Sequence, residues 1–162
     1  MKHREFSIDT LDSIDKKILI ELQKDGRMSN VKLASRVGLS PTPCLERVKK
    51  LEKEGYIKNY SANVDARKVG STLLVYVEIT LDKSSPDVFS RFNRAVQSVD
   101  VIQECHLVSG NFDYLLKTRV TDMDDYRSLL GDTLLRLPSV SESRTYVVME
   151  EVKENHFVAI KS

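Results

Sequence analysis

Between Val37 and Pro41 the chain reads Val-Gly-Leu-Ser-Pro, and that short run leaves few folds open. Glycine permits the left-handed residue that ends a helix, and serine followed by proline supplies an N-cap and a first helical residue that needs no donor. One helix must therefore stop and another start within a few residues. The apolar positions on either side keep helical spacing: Leu11, Ile14, Ile18 and Leu22 ahead of the stop at Asp25-Gly26, then Val31, Ala34 and Val37 behind the N-cap Ser29. Cys44, Val48 and Leu51 continue it in a third helix running to about Glu54. Three short helices with a tight turn between the last two are a helix-turn-helix.

After Gly55 the pattern changes. Residues 56–64 are β-prone with a polar Lys58-Asn59 at their centre, which predicts a small hairpin or wing, followed by a linker over 62–71. Leu73, Val75, Val77, Ile79 and Leu81 then alternate as a strand, and Ser85-Pro86-Asp87 precedes a helix bearing Phe89, Phe92, Val96 and Val99. Two strands over 101–109 and 114–120, a helix capped by Asp122 and a last strand from about Arg144 to Val152 complete the order βαββαβ. The expected fold class is α+β: a winged helix-turn-helix domain over 1–61 and a ferredoxin-like βαββαβ domain over 72–162. Both helices of the second domain should cover one sheet face. Tyr76, Tyr146 and Val148 on its strands need another cover, so a homodimer or larger assembly is predicted.

The net charge of +1 is nearly balanced but uneven: residues 1–60 carry 13 Lys/Arg against 9 Asp/Glu, and residues 61–162 carry 12 against 15. The basic end is where a polyanion would bind. No run is long and apolar enough to span a membrane, the first residues lack a secretory apolar region, and two cysteines 61 positions apart with three histidines suggest no zinc cluster, so a reducing cytoplasm is expected. Enzyme readings fare poorly. Cys105 and His106 are strand neighbours whose side chains point to opposite faces, and no phosphate-loop, dinucleotide, zinc-protease or serine-elbow motif occurs. Asp124-Asp125 fits a helix N-terminus and Glu150-Glu151 a solvated strand end. No cofactor or metal is expected.

Two groups of residues carry chemistry. On the third helix the inward stripe leaves Thr42, Pro43, Glu46, Lys49, Lys50 and Lys53 outward with Arg47 on the flank, while Ser40 and the free N–H groups of the helix start suit a phosphate. Thr42 and Arg47 have the chemistry to touch base edges. Any solvated surface helix presents a similar face, but the three-helix setting favours DNA. The second group is Ser109-Gly110-Asn111-Phe112-Asp113-Tyr114, where glycine allows close backbone approach and a carboxylate is available for an ammonium group. A plain β-turn, with Gly and Asn left-handed and Asp113 bonding local N–H groups, fits the same residues.

Nearly the whole chain resembles the Lrp/AsnC family of feast/famine transcriptional regulators of bacteria and archaea. The resemblance is carried by Leu11-Asp12 through Ile14-Asp15, Val37 through Val48, Glu104 through Gly110, Phe112-Asp113-Tyr114 and Tyr146 through Glu151. It implies an N-terminal DNA-binding domain and a C-terminal domain that dimerises and senses amino acids, often within octamers or hexadecamers. It further implies that the loop from Ser109 to Tyr114 lies between dimers and binds the effector, leucine first among the candidates, with Asp113 helping to hold the ligand ammonium and Gly110 at the close approach. Met123, Tyr146 and Val147 match positions of the leucine response, so the expected effector set is Leu107, Ser109, Gly110, Asn111, Phe112, Asp113, Met123, Tyr146 and Val147. Asn111 stands where the resemblance leads us to expect an acidic residue. The amino-terminal Lys2, His3 and Arg4 are offset by Glu5 and Asp9, which weakens any contribution of a basic tail to DNA binding. The expected protein is a regulator and not an enzyme, cytoplasmic and associated with the nucleoid.

Overall fold

The computed structural model describes residues 11–161; the amino-terminal charges from Lys2 to Asp9 lie outside them. The chain divides into two compact units, one of residues 1–63 together with 154–162 and one of residues 64–153. The C-terminal segment, expected with the second domain, thus groups with the first.

The first unit is built on α1 (Ser13–Lys24), α2 (Asn30–Val37) and α3 (Pro41–Lys53). Asp12 caps α1 by accepting the N–H groups of Ile14 and Asp15, and Ser29 caps α2 at the N–H of Lys32. Gly38 closes α2 at φ 76°, a left-handed conformation that costs glycine little, and Leu39 N–H returns to the Ala34 carbonyl at 2.9 Å. The turn is locked from the side by Asn30, whose amide donates to the Pro41 carbonyl at 2.7 Å. Ile18, Leu33, Ala34, Val37, Cys44 and Leu51 form the buried centre of the three helices. Residues 56–64 contain no strand, contrary to the expected hairpin. Tyr56 and Ile57 turn into the helical core instead, their N–H groups bonding back to the Leu51 carbonyl, and Tyr60 donates to Glu52 at 2.9 Å. These contacts use the segment as an arm laid on α3.

The second unit holds β1 (Leu73–Leu81), α4 (Val88–Val96), β2 (Ile102–Leu107), β3 (Tyr114–Val120), α5 (Met123–Asp132), a 3-10 turn at Leu134–Arg136 and β4 (Val140–Val147). The sheet runs β2-β3-β1-β4 and every neighbouring pair is antiparallel. β4 starts earlier than expected and ends at Val147; Val148 still donates to the Leu74 carbonyl, but Met149 is fully exposed. Val75, Val77, Ile79 and Leu81 point from β1 into one core with Val88, Phe92 and Val96 of α4, Tyr126 of α5 and Leu134. Phe92 lies against Tyr114 at 4.5 Å between ring centroids, and the Tyr114 hydroxyl donates to Asn93 at 2.7 Å. The opposite face carries Tyr76 and Glu78 of β1, Lys117 of β3 and Arg144 and Tyr146 of β4, and neither α4 nor α5 covers it among the described residues.

Phe92 is fully buried, so Phe92→Ala should destabilise the second unit by about 3 to 5 kcal/mol, read from urea denaturation followed by the tyrosine signal of that unit.

Candidate nucleic-acid interface and effector site

On α3 the inward positions are Cys44 and Leu51, leaving Thr42, Lys49, Lys50 and Lys53 exposed and Pro43 half-buried. None of these three lysines makes an ion pair among the described residues, so their charge is free for an external anion. Ser40 sits at the N-cap without bonding any N–H of its own helix. Pro41 and Pro43 carry no N–H and the Cys44 N–H is bonded to the Ser40 carbonyl at 3.3 Å, so the Thr42 N–H and the exposed Ser40 hydroxyl are what the helix start offers an anion at the positive end of its dipole.

Arg47 differs from the expectation that it stands free to read a base. Its Nη1 bonds Asp12 at 2.6 Å and Asp15 at 2.7 Å, and the Asp15 side chain is almost wholly buried. The physical reason lies in the first turn of α1, where Asp12 and Asp15 share one face and meet the flank of α3. Asp12 is used twice, since one oxygen caps α1 while the other takes the guanidinium. The N–H of Asp15 and the Arg47 guanidinium hold the Asp12 carboxyl below its ordinary pKa. These pairs tie α3 to α1.

The loop after β2 is pinned at one residue. Asp113 is buried; its N–H donates to the Ile79 carbonyl, its Oδ2 accepts the Leu81 N–H at 2.9 Å, and its Oδ1 pairs with Lys83 Nζ at 2.8 Å. Burial pushes the Asp113 carboxyl up, but the Leu81 N–H and the Lys83 ammonium together outweigh it and leave the pKa lowered. Of its two possible roles, the hydrogen bonds display the local one, and the carboxylate is not free for a ligand while Lys83 holds it. Lys83, just past the end of β1, is the functional neighbour that sequence spacing did not reveal. Gly110 and Asn111 are exposed but neither has a positive φ, so the loop is not the left-handed turn considered above. A Cβ on Gly110 would meet only open space, so this chain itself makes no close approach there.

The nine expected effector residues fall into two groups. Leu107, Ser109, Gly110, Asn111, Phe112 and Asp113 lie where β1 ends, since Leu107 pairs with Tyr114 and Tyr114 with Ile79. Met123 follows β3 at the end where Val120 pairs with Leu73, and Tyr146 and Val147 pair with Tyr76 and Val75. At about 3.4 Å per residue Tyr146 and Val147 stand about 10 to 14 Å from the level of Ile79 along β1, and the Leu73 level, beyond which Met123 lies, about 20 Å from it, so one chain does not gather all nine. Beside the loop, Glu78, Thr80, Asn111, Phe112, Glu142 and Arg144 line an opening of about 50 Å³, room for a water or two by the roughly 30 Å³ that each occupies in the liquid. Cys105 lies half-buried on β2, and burial pushes its thiol up to about 11, far from a nucleophile at neutral pH.

Comparison with known proteins matches residues 11–58 to a winged helix-turn-helix DNA-binding domain and residues 74–157 to the Lrp/AsnC ligand-binding domain. The chain belongs to the Lrp/AsnC family. It is 64% identical over 152 residues to the leucine-responsive regulatory proteins of Escherichia coli K12 and Salmonella typhimurium LT2, covering 94% of this chain and 93% of each relative. Among solved structures, a transcriptional regulator of Neisseria meningitidis in complex with L-methionine superposes with a TM-score of 0.88 at 35% identity, covering 93% of this chain and 97% of that one. An AsnC family regulator of Agrobacterium tumefaciens gives 0.87 at 31% identity, over 92% and 97%. This Lrp/AsnC chain is therefore a DNA-binding transcriptional regulator with an amino-acid-binding domain. No helix among its described residues is long and apolar enough to cross a membrane, and no group of three or more metal-ligating side chains occurs among them.

Two outcomes check this geometry. Arg47→Met leaves Asp15 buried without its cation and should cost about 2 to 3 kcal/mol of stability in the first unit; in DNA binding it should weaken all sequences alike, measured on specific and scrambled duplexes. Because the folded pKa of Asp113 is lowered, its contribution is present above the ordinary carboxylate value and is lost as pH falls through the folded one. Acid titration should therefore loosen the loop of residues 108–113 below pH 3.8 in the parent, and Asp113→Asn should show the same loosening at neutral pH, both read by amide exchange at Leu81.

Proposed function

We propose that this Lrp/AsnC protein is a cytoplasmic, nucleoid-associated regulator of amino-acid metabolism, without enzymatic activity, whose assembly or DNA binding responds to a small amino acid, leucine first. The observation that supports this reading is the spread of the candidate effector residues along β1, from the loop at its end past the level of Tyr76 to Met123 beyond Leu73, which makes a site shared between copies the simplest way to unite them. The uncovered sheet face with Tyr76 and Tyr146 supplies the dimer surface, and further dimers would build an octamer or hexadecamer. DNA binding would use Ser40, Thr42 and Pro43 at the helix start and Lys49, Lys50 and Lys53 along the exposed face of α3, with Arg47 behind them.

In this reading Lys83 occupies the place of the ligand. Its ammonium sits on Asp113 Oδ1 at the end of an exposed, flexible side chain, and the α-ammonium of an amino acid would displace it. The gain in one assembly over another then comes from a ligand that touches two dimers at once, and a differential affinity of a few kcal/mol suffices to shift the population. The alternatives are a DNA-binding architectural protein without ligand response and an amino-acid-binding enzyme subunit. The first predicts flat calorimetric titrations with leucine, alanine and methionine alike; the second predicts no sequence-selective, salt-dependent shift of DNA.

Light scattering of the purified protein with and without millimolar L-leucine should show a change of mass, and a stable monomer in both would defeat the shared site. Lys83→Ala should strengthen leucine binding and Asp113→Asn should abolish it, each by calorimetry. Lys53→Ala should weaken binding to every duplex and lower the slope of log affinity against log salt by about 1.

A further inference from the structure

The C-terminal residues are built into the DNA-binding unit through a two-way hydrogen bond. Gln23, in the last turn of α1, donates from Nε2 to the Val158 carbonyl at 3.1 Å and accepts the Val158 N–H on Oε1 at 2.7 Å. A primary amide offers donor and acceptor side by side, as a neighbouring strand does, so Gln23 holds the extended backbone whatever side chain it carries. Val158 and Ile160 border an apolar groove walled by Leu19, Leu22, Tyr56 and Ile57. The groove retains an open volume of about 510 Å³, and Val158 stays 72% exposed. A segment that buries so little is held weakly and opens at low cost compared with the core.

The other end of this segment is fixed elsewhere. Glu151 is paired with Arg119 of β3, and Val148 is bonded to Leu74 of β1. Residues 152–157 therefore join an anchor in one unit to an anchor in the other, and they continue the strand that carries Tyr146 and Val147. The helix they reach is also the helix that Arg47 grips: Asp12 and Asp15 lie at its start and Gln23 at its end.

We propose that residues 154–162 are a releasable strap of the DNA-binding unit. Docked, the strap stiffens α1 and through the Arg47 pairs seats α3 for DNA; released, it lowers the affinity for DNA. The groove on α1 is thus an interaction surface whose partner is the chain's own C-terminus, and the state of the second unit reaches the first along it.

The test uses the full-length protein and a duplex that it selects from a random pool, at fixed salt. Gln23→Ala removes the clamp from the helix side, and Val158→Pro removes the donated N–H from the strap side without altering α1. Losing these bonds should speed amide exchange in the last turn of α1 about tenfold or more and weaken DNA binding about threefold or more, with the mass by light scattering unchanged. The two substitutions combined should be no worse than either alone, because both release one contact. Faster exchange with undiminished DNA affinity would overturn the proposal, as would unchanged exchange in both variants. A loss confined to Gln23→Ala would assign the effect to the helix alone and overturn it too.

Discussion

A four-stranded antiparallel sheet with helices on one face only is the constraint from which the rest of this molecule follows. Val75, Val77 and Ile79 satisfy that covered face within one chain, and the alternating residues of the same strand cannot be satisfied there. Tyr76 sits between Lys117 and Tyr146, and Glu78 between Leu115 and Arg144, in cross-strand rows of mixed aromatic and charged character. Such a surface is too apolar to be indifferent to a partner and too charged to accept any partner at random. The proposed association of copies therefore traces to the period of β1.

The charges of the first unit illustrate a second economy. Sequence places Lys49, Lys50 and Lys53 outward with Arg47 on their flank, and the structure turns the flank residue to the carboxylates of α1. The planar guanidinium of Arg47 suits two carboxylates at once, and Asp15 is buried enough that losing the partner would leave a bare charge in the interior. The flexible lysines remain exposed on the outward face of α3. Asp113 shows the same logic in the second unit, a buried carboxylate whose first duty is to its own backbone.

Much of this was legible beforehand because it rests on local chemistry. Gly38 and Ser40-Pro41 mark the helix-turn-helix through backbone preference, and the alternation from Leu73 to Leu81 marks β1 through the pleat. What escaped depends on contacts distant in the chain. The partners of Arg47 lie 32 and 35 residues away, the partner of Val158 lies 135 residues away, and no pattern of spacing announces either. Residues 56–64 misled for a related reason: their β-prone composition suits a hairpin, but Tyr56 and Ile57 gain more by entering an existing core than by pairing with each other. How the expected site residues are arranged was not legible, because distance along a sheet is set by register.

The return of residues 154–162 to the first unit means that the ligand-binding unit is nested within the DNA-binding one, entering after residue 63 and leaving before residue 154. Two chain crossings rather than one therefore join the units, so that a single cut in either crossing leaves them attached.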